Sequence, residues 1–309
     1  MPLAHLVQPI CRDLAWIAEA PPLLADGSMS VRDPLAGSLW RDDPERLHHA
    51  LRQLDDDPVR LTAKFGESTD YRLGRYYERL WQVLLELAPD IRVIAHNVPV
   101  RHQRRSLGEL DLIIEAADGA VIHFELAIKF YLGRPELDAC GPCSAHSAWW
   151  GPDPKDRLDI KVDRLASHQL PLATRHADRL VGLPQIDRSC AWLQGCLFYP
   201  AGREMAPAEQ AGVPAWRHEW CYRRALEEAL PSGWIALPHK RWLAPPAMSA
   251  DFSGSLAAEP FSRPGAPVML INESRRDYCD APRLLVMPDG WPDPIIPPRC
   301  GSAVGPDPA

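Results

Sequence analysis

With 46% hydrophobic and 24% charged residues, this 309-residue chain has the composition of an ordinary globular protein and the length to bury a core in one large domain or two small ones. A formal net charge of −7 excludes a globally basic nucleic-acid binder but leaves room for a local basic groove, because phosphate binding depends on the field at the site. There is no basic start followed by an apolar run, no stretch nearing the roughly 20 apolar residues that span a bilayer, and no disulfide-like spacing among the eight cysteines, so a cytoplasmic protein with no membrane partner is expected.

The first 66 residues read as a helical N-terminal cap, broken at Pro21-Pro22, Asp33-Pro34 and Asp57-Pro58. Within it, Leu47, Leu51 and Leu54 lie at helical spacing. A stronger helix is predicted from Tyr71 to Leu87, where Leu73, Tyr77, Leu80, Leu84 and Leu87 form one stripe and Pro89 ends the run. Glu78 sits off that stripe. A strand from about Ile91 to Val100 then leads into the basic loop Arg101-His102-Gln103-Arg104-Arg105.

Next come two strand-like runs flanking Asp118-Gly119, a hairpin turn signal. In the second run Ile122, Phe124, Leu126, Ile128, Phe130 and Leu132 alternate with His123, Glu125, Ala127, Lys129 and Tyr131, so Glu125 and Lys129 share a face. In the first, Leu110, Leu112 and Ile114 oppose Glu109, Asp111, Ile113 and Glu115. Pairing through the turn brings Asp111 and Glu125 to a common point, the candidate active site. A competing reading is that both merely pair with Lys129 or Arg157 on a solvated sheet face.

Beyond an irregular segment, Asp153-Pro154 is a helix start, with aspartate as cap and proline in the first turn. The helix is predicted to reach Gln169, with Leu158, Val162 and Leu165 buried and Arg157, Lys161, Arg164 and His168 forming one basic face, either solvated or dedicated to phosphate. Cys190 to Tyr199 reads as a core strand. Residues 201–309, rich in the chain's 33 prolines, are expected to be an irregular extension packed on the core, with a short strand near Leu284 to Met287 and a loose tail from about 292.

The order helix, strand, strand, strand, helix, strand resembles the PD-(D/E)XK nuclease superfamily, through Gly108-Glu109-Leu110-Asp111-Leu112-Ile113 and Phe124-Glu125-Leu126-Ala127-Ile128-Lys129-Phe130. Within it the chain is similar to a bacterial family known only as a domain of unknown function, through GELD at 108–111, ELAIKFYL at 125–132 and DRLD at 156–159. The resemblance implies an α/β (α+β) fold with a restriction-endonuclease-like core over residues 67–200, a mixed sheet flanked by helices. It implies a Mg²⁺ (or Mn²⁺) ion on Asp111, Glu125 and the Leu126 carbonyl, with Lys129 as the catalytic cation and Glu78 as the further acidic residue many members carry. Such an ion polarises a phosphodiester and activates a bound water, and a lysine stabilises the developing charge. DNA is the implied partner, met by Arg157, Lys161, Arg164, His168, Gln169, Arg104 and Arg105; a homodimer is compatible with this.

The match departs at one position. The superfamily pattern Glu-x-Lys puts its lysine at 127, where this chain has Ala127. Lys129 shares the face of Glu125, but its Cα lies ~13 Å further along a regular strand. Either a bulge near Ala127 shortens that path, or another cation such as Lys161 is borrowed, or the fold binds nucleic acid or a protein without cutting. Elsewhere, Cys140-Gly141-Pro142-Cys143 spells a thioredoxin-type dithiol without its usual strand and helix, or with His146 offers three zinc ligands in search of a fourth. The tryptophans at 149, 150, 216, 220, 234 and 242 read as core anchors before base-stacking platforms.

Overall fold

The computed structural model describes residues 3–27, 29–66, 72–103, 105–137, 143–212, 216–226, 233–238, 241–247 and 265–292. Helices come first: α1 (Pro9–Glu19), α2 (Leu39–Asp42), α3 (Pro44–Asp55), α4 (Pro58–Phe65) and α5 (Leu73–Leu87). Their starts follow from the Asp-Pro dipeptides. Asp43 accepts from the Glu45 N–H at the head of α3 and Asp57 from the Arg60 N–H at the head of α4, each with proline next in line. Asp55, at the end of α3, accepts from the N–H groups of Val7 and Gln8 and so fastens the entry to α1.

The sheet begins with β1 (Arg92–His102), β2 (Arg105–Glu115) and β3 (Val121–Gly133), a meander whose second turn is the anticipated Asp118-Gly119. The short β4 (Trp149–Trp150) pairs with the end of β3. The chain then crosses over through α6 (Leu158–Arg164), a wide turn over Leu165–Gln169 and α7 (Leu172–Arg175) to β5 (Arg188–Pro200), which runs parallel to β3. The anticipated strand–helix–strand crossover is therefore present. Its helix starts at Leu158, not at Asp153-Pro154. There Asp153 instead closes a tight turn, its carbonyl accepting from the Asp156 N–H.

Past β5 the chain continues the same sheet with β6 (His218–Tyr222), β7 (Trp234–Leu237), β8 (Val268–Asn272) and β9 (Arg283–Met287). The order is β1-β2-β3-β5-β6-β9-β8-β7, with β4 beside β3: a mixed sheet of nine strands among the described residues, flanked by helices. The mixed α/β architecture follows the expectation; the irregular extension is corrected, since its short apolar runs supply four strands. The tail expected from about 292 lies almost wholly outside the described residues.

The even face of β3, from Ile122 to Leu132, is buried beneath α1 and α5 with Trp16, Tyr77 and Trp81. Gln194 of β5 ties these layers together. Its amide oxygen accepts from Tyr77 Oη (2.7 Å) and Trp81 Nε1 (3.3 Å), and its nitrogen donates to Ile17 O (2.9 Å) and Ala20 O. The odd face is buried too, under Leu158, Val162 and Leu165 of the crossover. A residue with a Cβ is excluded at Gly195: φ is +133°, and an ideal Cβ would stand 1.7 Å from the Lys129 carbonyl oxygen. Of the singled-out tryptophans, 149, 220 and 242 are buried, and 150, 216 and 234 partly so. β1 forms an edge, with Pro99 in it and register shifts between Val93 and Ala95 and between Val100 and Arg101.

Candidate active site

The two carboxylates meet where β2 and β3 part. Their ladder runs from Glu115↔Val121 to Leu112↔Phe124 and stops. At the next position Asp111 takes over, its Oδ2 accepting the Leu126 N–H at 3.0 Å. A side chain thus replaces a carbonyl in the ladder and opens a notch. Strand alternation breaks there as well: Leu112 and Ile114 pack into the core under α5, whereas Leu110 joins Val100, Ile113 and Leu172. The expected common face of Leu110, Leu112 and Ile114 is corrected accordingly.

Glu125 is 1% exposed, so the solvated-face reading fails, and neither it nor Asp111 pairs with Lys129 or Arg157. Its Oε2 accepts from Gln169 Nε2, and the Gln169 amide oxygen accepts from Lys161 Nζ at 3.1 Å. Its Oε1 lies 3.2 Å from His123 Nε2, off the line of a hydrogen bond, so both atoms are buried without a completed bond. Burial, with Glu125 beside it, pushes Asp111 up to about 7, and burial together with Asp111 pushes Glu78 up to about 7. Burial raises Glu125 as well, against the opposing pull of Lys161, Arg164 and His168. Burial likewise lowers the Lys161 ammonium and takes His123 to about 4, which leaves the imidazole neutral.

Lys129 is where the expectation fails. The β3–β5 register is unbroken from Ile122↔Arg188 to Leu132↔Phe198, so no bulge at Ala127 draws the lysine back. Its Nζ donates to Asp156 Oδ2 at 2.5 Å, and Tyr131 Oη donates to the other oxygen of the same carboxylate at 3.2 Å. Lys161 is the cation that reaches the carboxylates, through Gln169.

The single basic face is corrected too. Arg157 precedes α6, forks onto Asp159 and stacks over Trp150, 5.6 Å from the ring centre. Lys161 turns inward, and Arg164 and His168 are exposed. Arg157 falls outside the helix, which starts at Leu158, and after Arg164 a wide turn, where the Leu170 N–H donates to Leu165 O five residues back, leaves Gln169 facing Glu125. Glu78 projects from α5 toward Asp111 and meets Arg75 at 3.7 Å, which also reaches Glu109. Arg105 is exposed at the start of β2; Arg104 lies outside the described residues. So does Cys140, while Cys143 is exposed and His146 has its Nε2 2.7 Å from the Glu209 carbonyl oxygen.

Two carboxylates are oxygen donors of the kind that hard cations take. Mg²⁺ is commonly held through one or two carboxylates, with water completing its octahedron, and Asp111 with Glu125 supplies the two. Among the described residues no group of three or more His, Cys, Asp or Glu is placed so that it could hold a metal ion.

The region just described lies inside a longer match, residues 12–277, to a family described as a domain of unknown function (DUF1853). The chain belongs to the DUF1853 family. No curated protein and no solved structure matches it. The DUF1853 match takes in every candidate residue, from Glu78 to Gln169, and extends through β8. Among the described residues no helix is long and apolar enough to cross a membrane. Sequence reasoning assigned no part to three neighbours of the site: His123, Ser189 and Asp156. A hint was available for His123, a polar residue two positions before Glu125 on the same face; Ser189 and Asp156 come from remote segments.

Proposed function

We propose that this protein is a divalent-metal-dependent nuclease acting on DNA, built on a restriction-endonuclease-like core. Asp111 and Glu125 hold a Mg²⁺ or Mn²⁺ ion, with the Leu126 carbonyl as a further ligand. Lys161 replaces Lys129 as the cation that steadies the developing charge. When bound, the ion supplies a polarised phosphate and an activated water. The chain's own part is to hold two carboxylates together against their repulsion, to keep Lys161 one amide away through Gln169, and to present Arg164 and His168 to a phosphate backbone. One observation carries the reading: Asp111 and Glu125 converge where the β2–β3 ladder opens, with a half-buried lysine linked to Glu125 through Gln169. A helix, an antiparallel meander and a crossover to a parallel strand surround them in the order that superfamily uses.

The capture of Lys129 by Asp156 favours a second reading, a fold that binds nucleic acid without cutting. One assay separates the two. Cleavage of linear, branched and single-stranded DNA is measured with Mg²⁺ or Mn²⁺ for wild type, Asp111→Asn and Glu125→Gln. The expected loss in either variant is at least on the order of 10²-fold. Equal activity in all three proteins would show a contaminant. Salt-dependent binding without cleavage would establish the second reading.

A further inference from the structure

His123 and Ser189 are direct neighbours in the parallel register of β3 and β5, one position short of the carboxylate on the same face. The imidazole Nδ1 lies 3.0 Å from Ser189 Oγ, and Nε2 lies 3.2 Å from Glu125 Oε1. His123 is 0% exposed, so the two groups its nitrogens meet decide where its proton sits. The geometry puts Ser189 Oγ in place to donate to Nδ1 and Nε2 toward a carboxylate oxygen that can accept. With the proton on Nε2, the Ser189 hydroxyl donates to Nδ1 and the imidazole N–H faces Glu125. The N–H still misses the line to Oε1, which leaves two buried polar atoms one small carboxylate rotation from a bond.

We propose that Ser189 and His123 are a positioning pair for Glu125: the hydroxyl selects the Nε2–H tautomer, and the imidazole holds Oε1 inward while Oε2 faces Gln169 and Lys161. The proposal rests on the reading of Glu125 as a cation ligand and adds an outer layer to that site. Such partners of metal ligands are typically worth 10–100-fold in metal affinity. Neither residue touches the substrate.

The test has one arm that needs no metal. Nitrogen-15 NMR of the full chain at neutral pH should show His123 as the neutral Nε2–H tautomer, and Ser189→Ala should mix the tautomers. A neutral Nδ1–H form in the wild type, or no change on removing the hydroxyl, overturns the proposal. In the second arm Mn²⁺ alone is titrated. His123→Leu should weaken binding about 10–100-fold, and His123→Gln, whose amide can still donate, should recover most of it, with circular dichroism confirming the fold of each variant. Equal loss in both folded variants overturns the positioning role. An Nε2–H tautomer in a wild type with no affinity for Mn²⁺ would remove the metal reading and leave the pair standing as the support of a buried carboxylate.

Discussion

Two clusters of buried charge can be compared, one between α1 and the C-terminal strands and one in the β2–β3 notch. In the first, Arg12 is 1% exposed and donates to four carbonyls, those of Leu3, Leu6, Pro245 and Arg276, at 2.6 to 3.0 Å. Its neighbour Asp13 accepts from Tyr76 Oη (2.6 Å) and the Ala244 N–H (2.9 Å), and Arg283 donates to the carbonyls of Trp242 and Leu243. Burial pushes Asp13 up to about 6, not far from Asp111. A raised pKa therefore does not separate the clusters. What separates them is the carboxylate: both Asp13 oxygens have donors and the orphan in that cluster is a donor, Arg283 Nε, while in the notch a carboxylate oxygen, Glu125 Oε1, stands without a completed bond beside His123 Nε2. The first cluster is a clasp between α1 and the C-terminal strands; the second leaves a buried carboxylate oxygen without a donor.

The contrast breaks most sharply at Arg12. Arg12→Met should leave several buried carbonyls without donors and cost about 3–5 kcal/mol in urea unfolding, with little effect on DNA cleavage at temperatures where the variant is folded. If the loss is under about 1 kcal/mol, the clasp is not holding the ends. Next, Lys161→Met should lower cleavage on the order of 10²-fold, and Lys129→Met only a few-fold, because Asp156 already engages that lysine. The reverse order would return the catalytic role to Lys129. The smallest effect is on stability. Asp111 titrates near 7 when folded and near 4 when unfolded, so between those values the unfolded chain binds fewer protons and stability falls as pH rises. Asp111→Asn, which can still accept from the Leu126 N–H, should remove that loss. It should gain roughly 1–2 kcal/mol relative to wild type on going from about pH 5 to 8 in metal-free buffer. A gain that is independent of pH would argue against a costly carboxylate.

The hairpin was legible because its signals are local. The turn at Asp118-Gly119 and the apolar alternation from Ile122 to Leu132 need only a period of two and one turn, whereas the break in alternation at Asp111 left no local mark. α3, α5 and β5 were legible on the same terms. What escaped depends on contacts distant in sequence. The engagement of Lys129 by Asp156 joins positions 27 residues apart, and the Ser189 hydroxyl reaches His123 from 66 residues away. The wide turn at Leu165–Gln169 left no mark because the residues fit a regular helix equally well; only packing against β3 selects the extra residue. Strand β9 was anticipated near Leu284 to Met287, but β6 to β8 escaped because each is four or five residues long, too short for periodicity to tell from loop, and they pair in an order that crosses the sequence. Burial of the odd face was missed because alternation shows which residues share a side, not whether a helix covers it.

The edge strand β1 bears on how the protein behaves at high concentration. A bare edge offers unpaired N–H and C=O groups to any neighbouring chain and is the usual starting point of aggregation. Here Pro99 withholds one donor, two register shifts interrupt the regular ladder, and exposed Arg101 adds repulsive charge to it. Copies of this chain therefore gain little by joining sheet to sheet along β1, and a dimer in solution would have to form through another face.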